Sequence, residues 1–271
     1  MDVEYKNGFT HGGKFHADDV FATALLKILF PKIKITRGFQ VPEDFDGIVY
    51  DIGFGKFDHH QADKEYRENG VPYAAFGLLW REYGEKLVGA KEALHFDEEF
   101  VQPMDLSDNT GSYSVMGVIV DEFNPNWDDK TPAETKFWES VGIAKKILQN
   151  HINRIRGNKK AESMVREAMQ ECDGKILVLK EHLPWKSVVC GSTYKCIVSP
   201  SNRGGYNIQI VPVSQYDNTL TASFPKEWFG KTPEELKKIS GIEGLNFCHA
   251  TGFLAAAADL ETALKVASYA E

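Results

Sequence analysis

The first sixty residues alternate short apolar runs with histidine- and aspartate-rich loops. Residues 2–10 are typical of a strand leading into a loop, and 18–30 has the apolar period of an amphipathic helix. Residues 33–37 and 48–52 are typical of two further strands. A strand, a helix and two more strands within fifty residues predict an α/β fold with a mostly parallel sheet. Such sheets bind their ligands beyond the carboxyl ends of the strands.

Potential metal ligands occur at these predicted strand ends. They form three groups: His11, His16 and Asp18; Asp51; and Asp58, His59 and His60. Imidazole nitrogen with carboxylate oxygen suits manganese, iron, zinc or magnesium, and it suits a two-metal hydrolytic site. If these side chains meet, the chain is a metal-dependent hydrolase.

Each group also has a purely structural interpretation. Asp18 and Asp19 could cap the helix that follows, and Asp51 could simply form a turn. Two histidines within a glycine-containing loop favour metal binding by the first group. Adjacent side chains of an extended segment point in opposite directions, so only one of His59 and His60 can readily bind a given ion.

The bulk composition predicts a globular protein of one large or two moderate domains. The chain has 271 residues, of which 42% are hydrophobic and 26% are charged. A helix starting near Thr131 is expected to break at Gly157-Asn158, with a second helix over 159–171. We place the domain boundary between Gly157 and Gly174, which gives domains of 1–172 and 173–271. The smaller C-terminal α/β domain has predicted strands at 176–179, 188–189, 195–199 and 206–213, and helices near 233–239 and 259–270.

Net charge, cysteine spacing and hydropathy limit the kinds of partner and the cellular location that the sequence predicts. The net charge of −8 does not indicate the basic face of a protein that grips long duplex nucleic acid, although bound cations would reverse the charge locally. The four cysteines lack a CxxC spacing, which favours reduced, packed side chains. The sequence contains no apolar run of about twenty residues, so it predicts no membrane span. The N-terminus resembles neither a signal nor a transit peptide, so we expect a cytoplasmic location.

Several short segments resemble the motifs of one protein family. This is the melanocyte-proliferating-gene family of metal-dependent hydrolases, a branch of the DHH phosphoesterase superfamily. The matching segments are Thr-His-Gly-Gly-Lys-Phe-His-Ala-Asp at 10–18, Asp-His-His at 58–60, Pro-Trp-Lys at 184–186, Ser-Gly-Ile-Glu-Gly at 240–244 and His-Ala-Thr-Gly-Phe at 249–253. The resemblance extends over essentially the whole chain. The segment at 10–18 differs from the superfamily's usual first motif, His-x-x-x-Asp-x-Asp, because His16 stands in place of the first aspartate of that motif.

This resemblance implies roles for the residues of the second and third groups. Asp51 would bridge two ions, and His59 would be a ligand. His60 would face the substrate and serve in catalysis, with Asp58 orienting an imidazole. The implied cofactor is one or two divalent ions, with manganese preferred over magnesium, iron or zinc.

Superfamily members also supply one further aspartate from a later loop. Asp108 is our prediction and Asp105 is the alternative, since both could equally be solvent-exposed carboxylates at a helix end. The predicted metal ligands are therefore His11, His16, Asp18, Asp51, His59 and Asp108.

Two segments of the C-terminal domain are candidate substrate contacts. Arg203, followed by Gly204 and Gly205, occupies a predicted hairpin loop and could hold a phosphate in its forked guanidinium, although a solvent-exposed arginine is almost as good an interpretation. His249 and Gly252 could supply a second grip, with exposed backbone N–H groups near a helix start. The resemblance implies a substrate role for both segments.

The predicted activity is hydrolysis of phosphodiester or phosphoanhydride bonds. The resemblance implies a 3′–5′ exonuclease or short-oligonucleotide phosphodiesterase acting on RNA. A small-molecule pyrophosphatase or nucleotide phosphohydrolase is the alternative, which the acidic net charge favours. A non-catalytic metal- or partner-binding protein is a third possibility, which the complete ligand set disfavours. The oligomeric state stays open, with a homodimer among the options.

Overall fold

The computed structural model describes residues 4–271, so residues 2 and 3 of the predicted first strand lie outside the described residues. Proximity of Cα atoms divides the chain into two compact units, Met1–Arg156 and Gly157–Glu271. The domain limits predicted from the sequence, 1–172 and 173–271, stay a prediction. Between residues 4 and 271, no helix has both the length and the apolar character needed to cross a membrane.

Unit 1 contains a small parallel sheet. Its strands are β1 (Asn7–His11), β2 (Lys34–Gly38) and β3 (Ile48–Val49), in the order β2-β1-β3. Both neighbours run parallel to β1, with Asn7 opposite Lys34 and Gly8 opposite Ile48. Parallel neighbours bring their carboxyl ends to the same edge, so His11 and the residues after β3 lie at that edge. The predicted α/β fold is confirmed.

Helices cover this sheet and form the core of unit 1. They are α1 (Ala17–Leu29), α2 (Ala75–Val88), α3 (Ala90–Phe96), a π-helical turn (Asp97–Val101), α4 (Gln102–Thr110), α5 (Val115–Asp121) and the first part of α6 (Ala133–Gln170). The first ten residues of α1, 17–26, are all buried, because this helix packs against α2, α4 and α5. The aspartates of its first turn are therefore buried together with its apolar residues.

The predicted helix break at Gly157 is wrong. Helix α6 continues through this glycine to Gln170 and is 38 residues long. Gly157 is exposed, and a Cβ there would meet no atom within 4 Å. A glycine in a helix interior costs only about 1 kcal/mol relative to alanine, which the neighbouring turns offset here.

Unit 2 is built on a five-stranded mixed sheet in the order β4-β5-β6-β8-β7. Its elements are β4 (Ile176–Val178), α7 (Lys186–Val189), β5 (Cys196–Pro200), β6 (Tyr206–Ile210), a 3₁₀ turn (Lys226–Trp228), α8 (Pro233–Ser240), β7 (Leu245–Cys248), β8 (Leu254–Ala257) and α9 (Leu260–Ala267). β4 and β5 are parallel, and the other pairs are antiparallel. The hairpin predicted around 201–205 is present between β5 and β6.

The strand predicted at Val188–Val189 is wrong, because these residues lie in helix α7. Both of their N–H groups donate to the carbonyl of Trp185, at 3.1 and 3.0 Å. Val189 is fully buried in a cluster with Trp185 and Leu177. Burial in this cluster outweighs the weak β preference of two adjacent valines.

Candidate metal centre

Four carboxylates and two imidazoles meet at the carboxyl edge of the parallel sheet in unit 1. We call this set the metal cluster: His11, Asp18, Asp19, Asp51, His59 and Asp108. It borders a cavity of about 1210 Å³. The members come from β1, the first turn of α1, the loop after β3 and helix α4. Side chains separated by up to about a hundred residues in sequence are therefore brought into one place.

Asp51 connects the two halves of the metal cluster. Its Oδ2 atom is 3.2 Å from Nε2 of His11, and its Oδ1 atom is 3.1 Å from Nε2 of His59. His11 Nε2 is also 3.3 Å from Oδ2 of Asp19. His59 Nε2 is also 3.2 Å from Oδ2 of Asp108 and 3.9 Å from Oδ2 of Asp18. The carboxylate of Asp51 thus presents one oxygen to each imidazole.

The backbone after β3 explains how Asp51 reaches this position. Asp51 has a φ of 54°, in the left-handed region that aspartate tolerates better than most residues. Asp58 then holds the loop, since its Oδ2 accepts from the amide of Phe54 at 2.7 Å and its Oδ1 from the amide of His59 at 2.8 Å. The loop therefore returns His59 to Asp51.

The adjacent aspartates of α1 make different contacts. Asp18 accepts hydrogen bonds from the amides of Ala75 and Phe76 at the start of α2, at 2.9 and 2.7 Å. Asp19 accepts one from the amide of His16 at 2.8 Å, which caps α1 through Oδ1 only. Its second oxygen, Oδ2, faces His11. The sequence interpretation of Asp19 as a cap therefore missed its place in the metal cluster, although a carboxylate has two oxygens and only one of them caps the helix.

The residues of the metal cluster fit divalent ions. Among the described residues, Oδ2 of Asp19 is buried and accepts no hydrogen bond. An imidazole Nε2 carries at most one hydrogen, yet this atom lies within 4 Å of two carboxylates in His11 and of three in His59. Two ligand atoms that bind one ion at about 2.1 Å each, with a right angle at the ion, stand about 3 Å apart. The imidazole nitrogens and carboxylate oxygens of the metal cluster have similar separations, 3.1 to 3.3 Å. Three groups of potential ligands have all their atoms within 4.8 Å of one another: Asp51, His59 and His60; His11, Asp19 and Asp51; and Asp18, His59 and Asp108.

The charges of the metal cluster are incompletely balanced. Burial, together with the charges of Asp51 and Asp108, raises the pKa of Asp18 well above its usual range. Burial also raises the pKa of Asp19 to about 7, against the opposing charge of His11. Burial would lower the pKa of His11, but Asp51 and Asp19 outweigh it and raise that pKa to about 9. A bound cation would relieve the repulsion between the carboxylates.

The two remaining predicted histidines lie at the rim. His16 is 54% exposed in its side chain, and its Nδ1 is 3.9 Å from Oδ1 of Asp108, outside the three groups above. The His60 side chain is 56% exposed, and its Nδ1 is 2.6 Å from Oδ1 of Asp58. Both histidines line the cavity. Asp58 therefore contacts His60, and its role in orienting the ring stays a prediction.

Asp105 and Asp108 lie one turn apart on α4 but belong to different clusters. Oδ2 of Asp105 is 2.8 Å from Nη2 of Arg67, and its Oδ1 accepts from the amide of Gly77 at 3.2 Å. Asp108 instead faces His59. Of the two candidates from the sequence, the structure therefore brings Asp108 to the metal cluster.

The predicted substrate contacts of unit 2 do not converge. Arg203 is exposed in the loop between β5 and β6, whereas His249 and Gly252 lie between β7 and β8. Tyr206 pairs with Ala257 and Gln209 with Leu254, so these two loops lie at opposite ends of β8. The expected helix start near Gly252 is wrong, because β8 follows, and the Gly252 amide donates to the carbonyl of His249 at 2.8 Å.

Two of the three predicted glycines of these loops, Gly205 and Gly252, have a packing role. A Cβ on Gly205 would lie 2.2 Å from the carbonyl oxygen of Ala257, and one on Gly252 would lie 2.3 Å from the ring of Phe229. Both glycines also have positive φ angles. Close approach by neighbouring protein atoms therefore explains Gly205 and Gly252, while Gly204 has no neighbour within 4 Å of a Cβ.

An α/β unit with aspartates and histidines gathered at the carboxyl edge of its sheet defines a candidate metal-dependent enzyme. The family model of MYG1 proteins, described as "Uncharacterised protein family (UPF0160)", matches residues 9–270. The chain therefore belongs to this family, and the resemblance to the melanocyte-proliferating-gene family is confirmed.

Curated relatives match along nearly the whole chain. The MYG1 protein of Dictyostelium discoideum is 26% identical over 311 residues, covering 95% of this chain and 94% of the relative. The MYG1 exonuclease of Rattus norvegicus is 26% identical over 319 residues, covering 95% and 82%. The MYG1 protein of Chlamydia pneumoniae is 28% identical over 266 residues, covering 90% and 89%. No solved structure shows significant similarity to the chain.

Proposed function

We propose that this protein is a divalent-metal-dependent phosphoesterase of the DHH superfamily that degrades RNA, as a 3′–5′ exonuclease or on short oligonucleotides. The observation that carries the proposal is the carboxylate of Asp51, which presents one oxygen to His11 and the other to His59. A carboxylate shared between two sets of ligands is the arrangement expected for two neighbouring ions, which in such sites lie about 3.5–4 Å apart.

Each half of the metal cluster would hold one ion. His11, Asp19 and Asp51 would hold the first. Asp18, His59 and Asp108 would hold the second, with Asp51 shared. Manganese suits this mixture of imidazoles and carboxylates, and magnesium, iron and zinc are alternatives. When bound, such ions polarise a phosphoryl oxygen and lower the pKa of water.

His60 is the residue best placed to transfer a proton. It lines the cavity, it is half-exposed, and Asp58 holds its Nδ1 at 2.6 Å. This contact leaves Nε2 as the nitrogen that can serve a substrate oxygen. We assign His60 to protonation of the leaving oxygen and Asp58 to orientation of the ring.

The choice of RNA rests on relatives and on the size of the site. Relatives from rat, cow and mouse bear the name MYG1 exonuclease. The cavity of about 1210 Å³ exceeds the roughly 300–1000 Å³ of typical small-molecule pockets. Pyrophosphate would occupy only a small part of it.

Arg203 and His249 are proposed as two separate substrate contacts and not as one joint site, because their loops lie at opposite ends of β8.

A metal-supplemented cleavage assay tests this proposal. With Mn²⁺, RNA labelled at the 5′ end should shorten stepwise, circular RNA should resist, and EDTA should abolish turnover. Asp51→Asn should lose the activity, and the exposed Asp44→Asn serves as the matched control. Undiminished cleavage in EDTA would refute the metal centre. Turnover restricted to pyrophosphate or mononucleotides would refute the RNA assignment and favour the alternative hydrolase.

A further inference from the structure

We propose that three exposed aromatic side chains around the metal cavity form a stacking site for the bases of single-stranded nucleic acid. They are Phe39, Phe54 and Tyr113, which we call the aromatic rim. The inference rests on the proposed phosphoesterase function, because ions bound by the metal cluster would hold a phosphate while the aromatic rim holds the bases. It specifies how the site recognises its substrate class.

The exposure of these rings is the first observation. Phe39 is 86% exposed, Phe54 is 71% exposed and Tyr113 is 79% exposed, and all three line the cavity that the metal cluster borders. Large apolar side chains usually bury most of their surface, and a concentration of exposed ones marks an interaction site. Nucleobases are suitable partners, because each presents a π-face to an aromatic ring.

Phe39 is tied to the loop that carries His11. The amide of Gly12 donates to the carbonyl of Gly38 at 2.8 Å. The Phe39 ring then lies over Gly13, since a Cβ on this glycine would stand 3.3 Å from the ring atom Cε1. The absence of a side chain at Gly13 thus makes room for the ring beside the first half of the metal cluster.

Phe54 is held in a conformation that a bulky residue rarely adopts. Its φ is 57°, in the left-handed region. Its amide donates to Oδ2 of Asp58 at 2.7 Å, so the loop that positions His59 also presents this ring. Backbone strain of this kind persists where the surroundings enforce it and is concentrated at functional sites.

Tyr113 belongs to the connection that follows Asp108. Helix α4 ends at Thr110, and α5 begins at Val115, with the carbonyl of Ser112 accepting from the hydroxyl of Ser107 at 2.7 Å. Each ring of the aromatic rim is therefore placed by a segment that also positions a member of the metal cluster. A chain of nucleotides could then stack its bases while one phosphate reaches the metals.

Leucine substitutions test stacking, because they remove the aromatic ring but keep a large apolar side chain. We expect Phe39→Leu, Phe54→Leu and Tyr113→Leu each to weaken binding of fluorescein-labelled single-stranded RNA by roughly fivefold or more in fluorescence anisotropy, the low end of one base stack. KM for RNA cleavage should rise in parallel. Trp127→Leu is the matched control, because Trp127 is 89% exposed in the same unit but does not line the cavity.

Two further comparisons isolate the base as the recognised group. An abasic ribose-phosphate chain should bind wild-type protein and the leucine variants equally. The aromatic replacements Phe39→Tyr and Tyr113→Phe should retain tight RNA binding. If RNA binding by the leucine variants matches that of Trp127→Leu, the stacking site is refuted. Equal weakening of abasic and normal RNA would likewise refute it.

The outcomes separate this inference from the proposed function. RNA cleavage that is insensitive to all three leucine variants overturns the aromatic rim and leaves the phosphoesterase standing. Ring-dependent RNA binding without hydrolysis under any metal supports the aromatic rim and overturns the phosphoesterase. Hydrolysis of bis-p-nitrophenyl phosphate without any binding of single-stranded RNA overturns the stacking site, and with it the choice of RNA.

Discussion

Two groups of buried carboxylates lie in unit 1, and their charges are balanced in different ways. In one, Arg67 contacts Asp97 at 2.6 Å and Asp105 at 2.8 Å. We call this group the arginine cluster. The Arg67 guanidinium also lies over the ring of Tyr73, 3.9 Å from its centroid. The chain itself thus supplies a permanent cation to these carboxylates.

Among the described residues, no arginine or lysine pairs with the metal cluster as closely as Arg67 pairs with Asp97 and Asp105, and the positive charge at its centre belongs to imidazoles that can release their protons. Its carboxylates face two imidazoles, and the nearest guanidinium nitrogen, Nη2 of Arg37, is 3.7 Å from Oδ2 of Asp19. Arg37 is largely engaged by the backbone carbonyls of His11 and Gly13, at 3.1 and 3.2 Å. Arg67 opposes the effect of burial in the arginine cluster, although burial still raises the pKa of Asp105 to about 7. The metal cluster lacks a comparable arginine contact among the described residues and has the charge and geometry to take up cations from solution.

The largest expected effect follows from removing the shared carboxylate. Asp51→Asn should reduce metal-dependent RNA cleavage by at least about 10³-fold, more than the loss of one oxyanion-stabilising donor costs. Asparagine tolerates the left-handed backbone, so stability in EDTA should be retained. Steady-state kinetics and urea unfolding measure the two quantities. Retention of near-wild-type activity would remove Asp51 from the metal centre.

Removing the cation of the arginine cluster should reduce the stability of the fold, whereas Asp51→Asn should reduce activity and leave stability unchanged. Arg67→Met leaves Asp105 buried and without its cation, so the free energy of unfolding should fall by about 3–5 kcal/mol. The matched control is Arg81→Met, because Arg81 forms a surface pair with Glu65 that should contribute no more than about 1 kcal/mol. Urea unfolding in EDTA provides the comparison. An equal loss of unfolding free energy in both variants would show that the burial of Arg67 adds nothing to the stability that its ion pairs provide.

A smaller effect is expected where a carboxylate acts through a histidine. Asp58→Asn weakens the contact that orients His60 and removes one acceptor from the loop that carries His59, so it should lower kcat by about 10–100-fold and lower metal affinity less than Asp51→Asn does. Parallel metal titrations and cleavage assays on this variant and on Asp51→Asn measure the difference. A loss of metal affinity as large as that of Asp51→Asn would place Asp58 among the ligands.

The smallest expected effect, counted per proton and per pH unit, is the pH dependence of metal binding. In the metal-free protein, the pKa of His11 is raised to about 9 and that of Asp19 to about 7, so protons must leave before an ion binds. Affinity should therefore rise with pH, by up to about tenfold per unit for each proton displaced. Calorimetry in buffers of different ionisation enthalpy measures the protons released. Affinity that is constant between about pH 6 and pH 8 would contradict the expectation.

Local patterns were sufficient to predict the frame of unit 1. The 3.6-residue period of α1 and the strand-like runs around it predicted an α/β fold, because the spacing of apolar residues reports the type of each element. It did not report which face of α1 is buried, since residues 17–26 are all buried. The positions of His11, Asp51 and His59 after predicted strands also indicated a common edge. Where a local signal was ambiguous, as at Gly157 and Val188, packing over many residues decided the outcome.

The sequence alone thus determined which elements form and which chemical groups follow them. Tertiary structure decided how each carboxylate is used. Asp105 and Asp108 have the same side chain on the same helix, but one meets Arg67 and the other meets His59. Asp19 has one oxygen on its own helix and the other facing His11, while Phe39 is exposed at the cavity rather than buried. These choices depend on contacts between elements distant in the chain, and no local periodicity encodes such contacts.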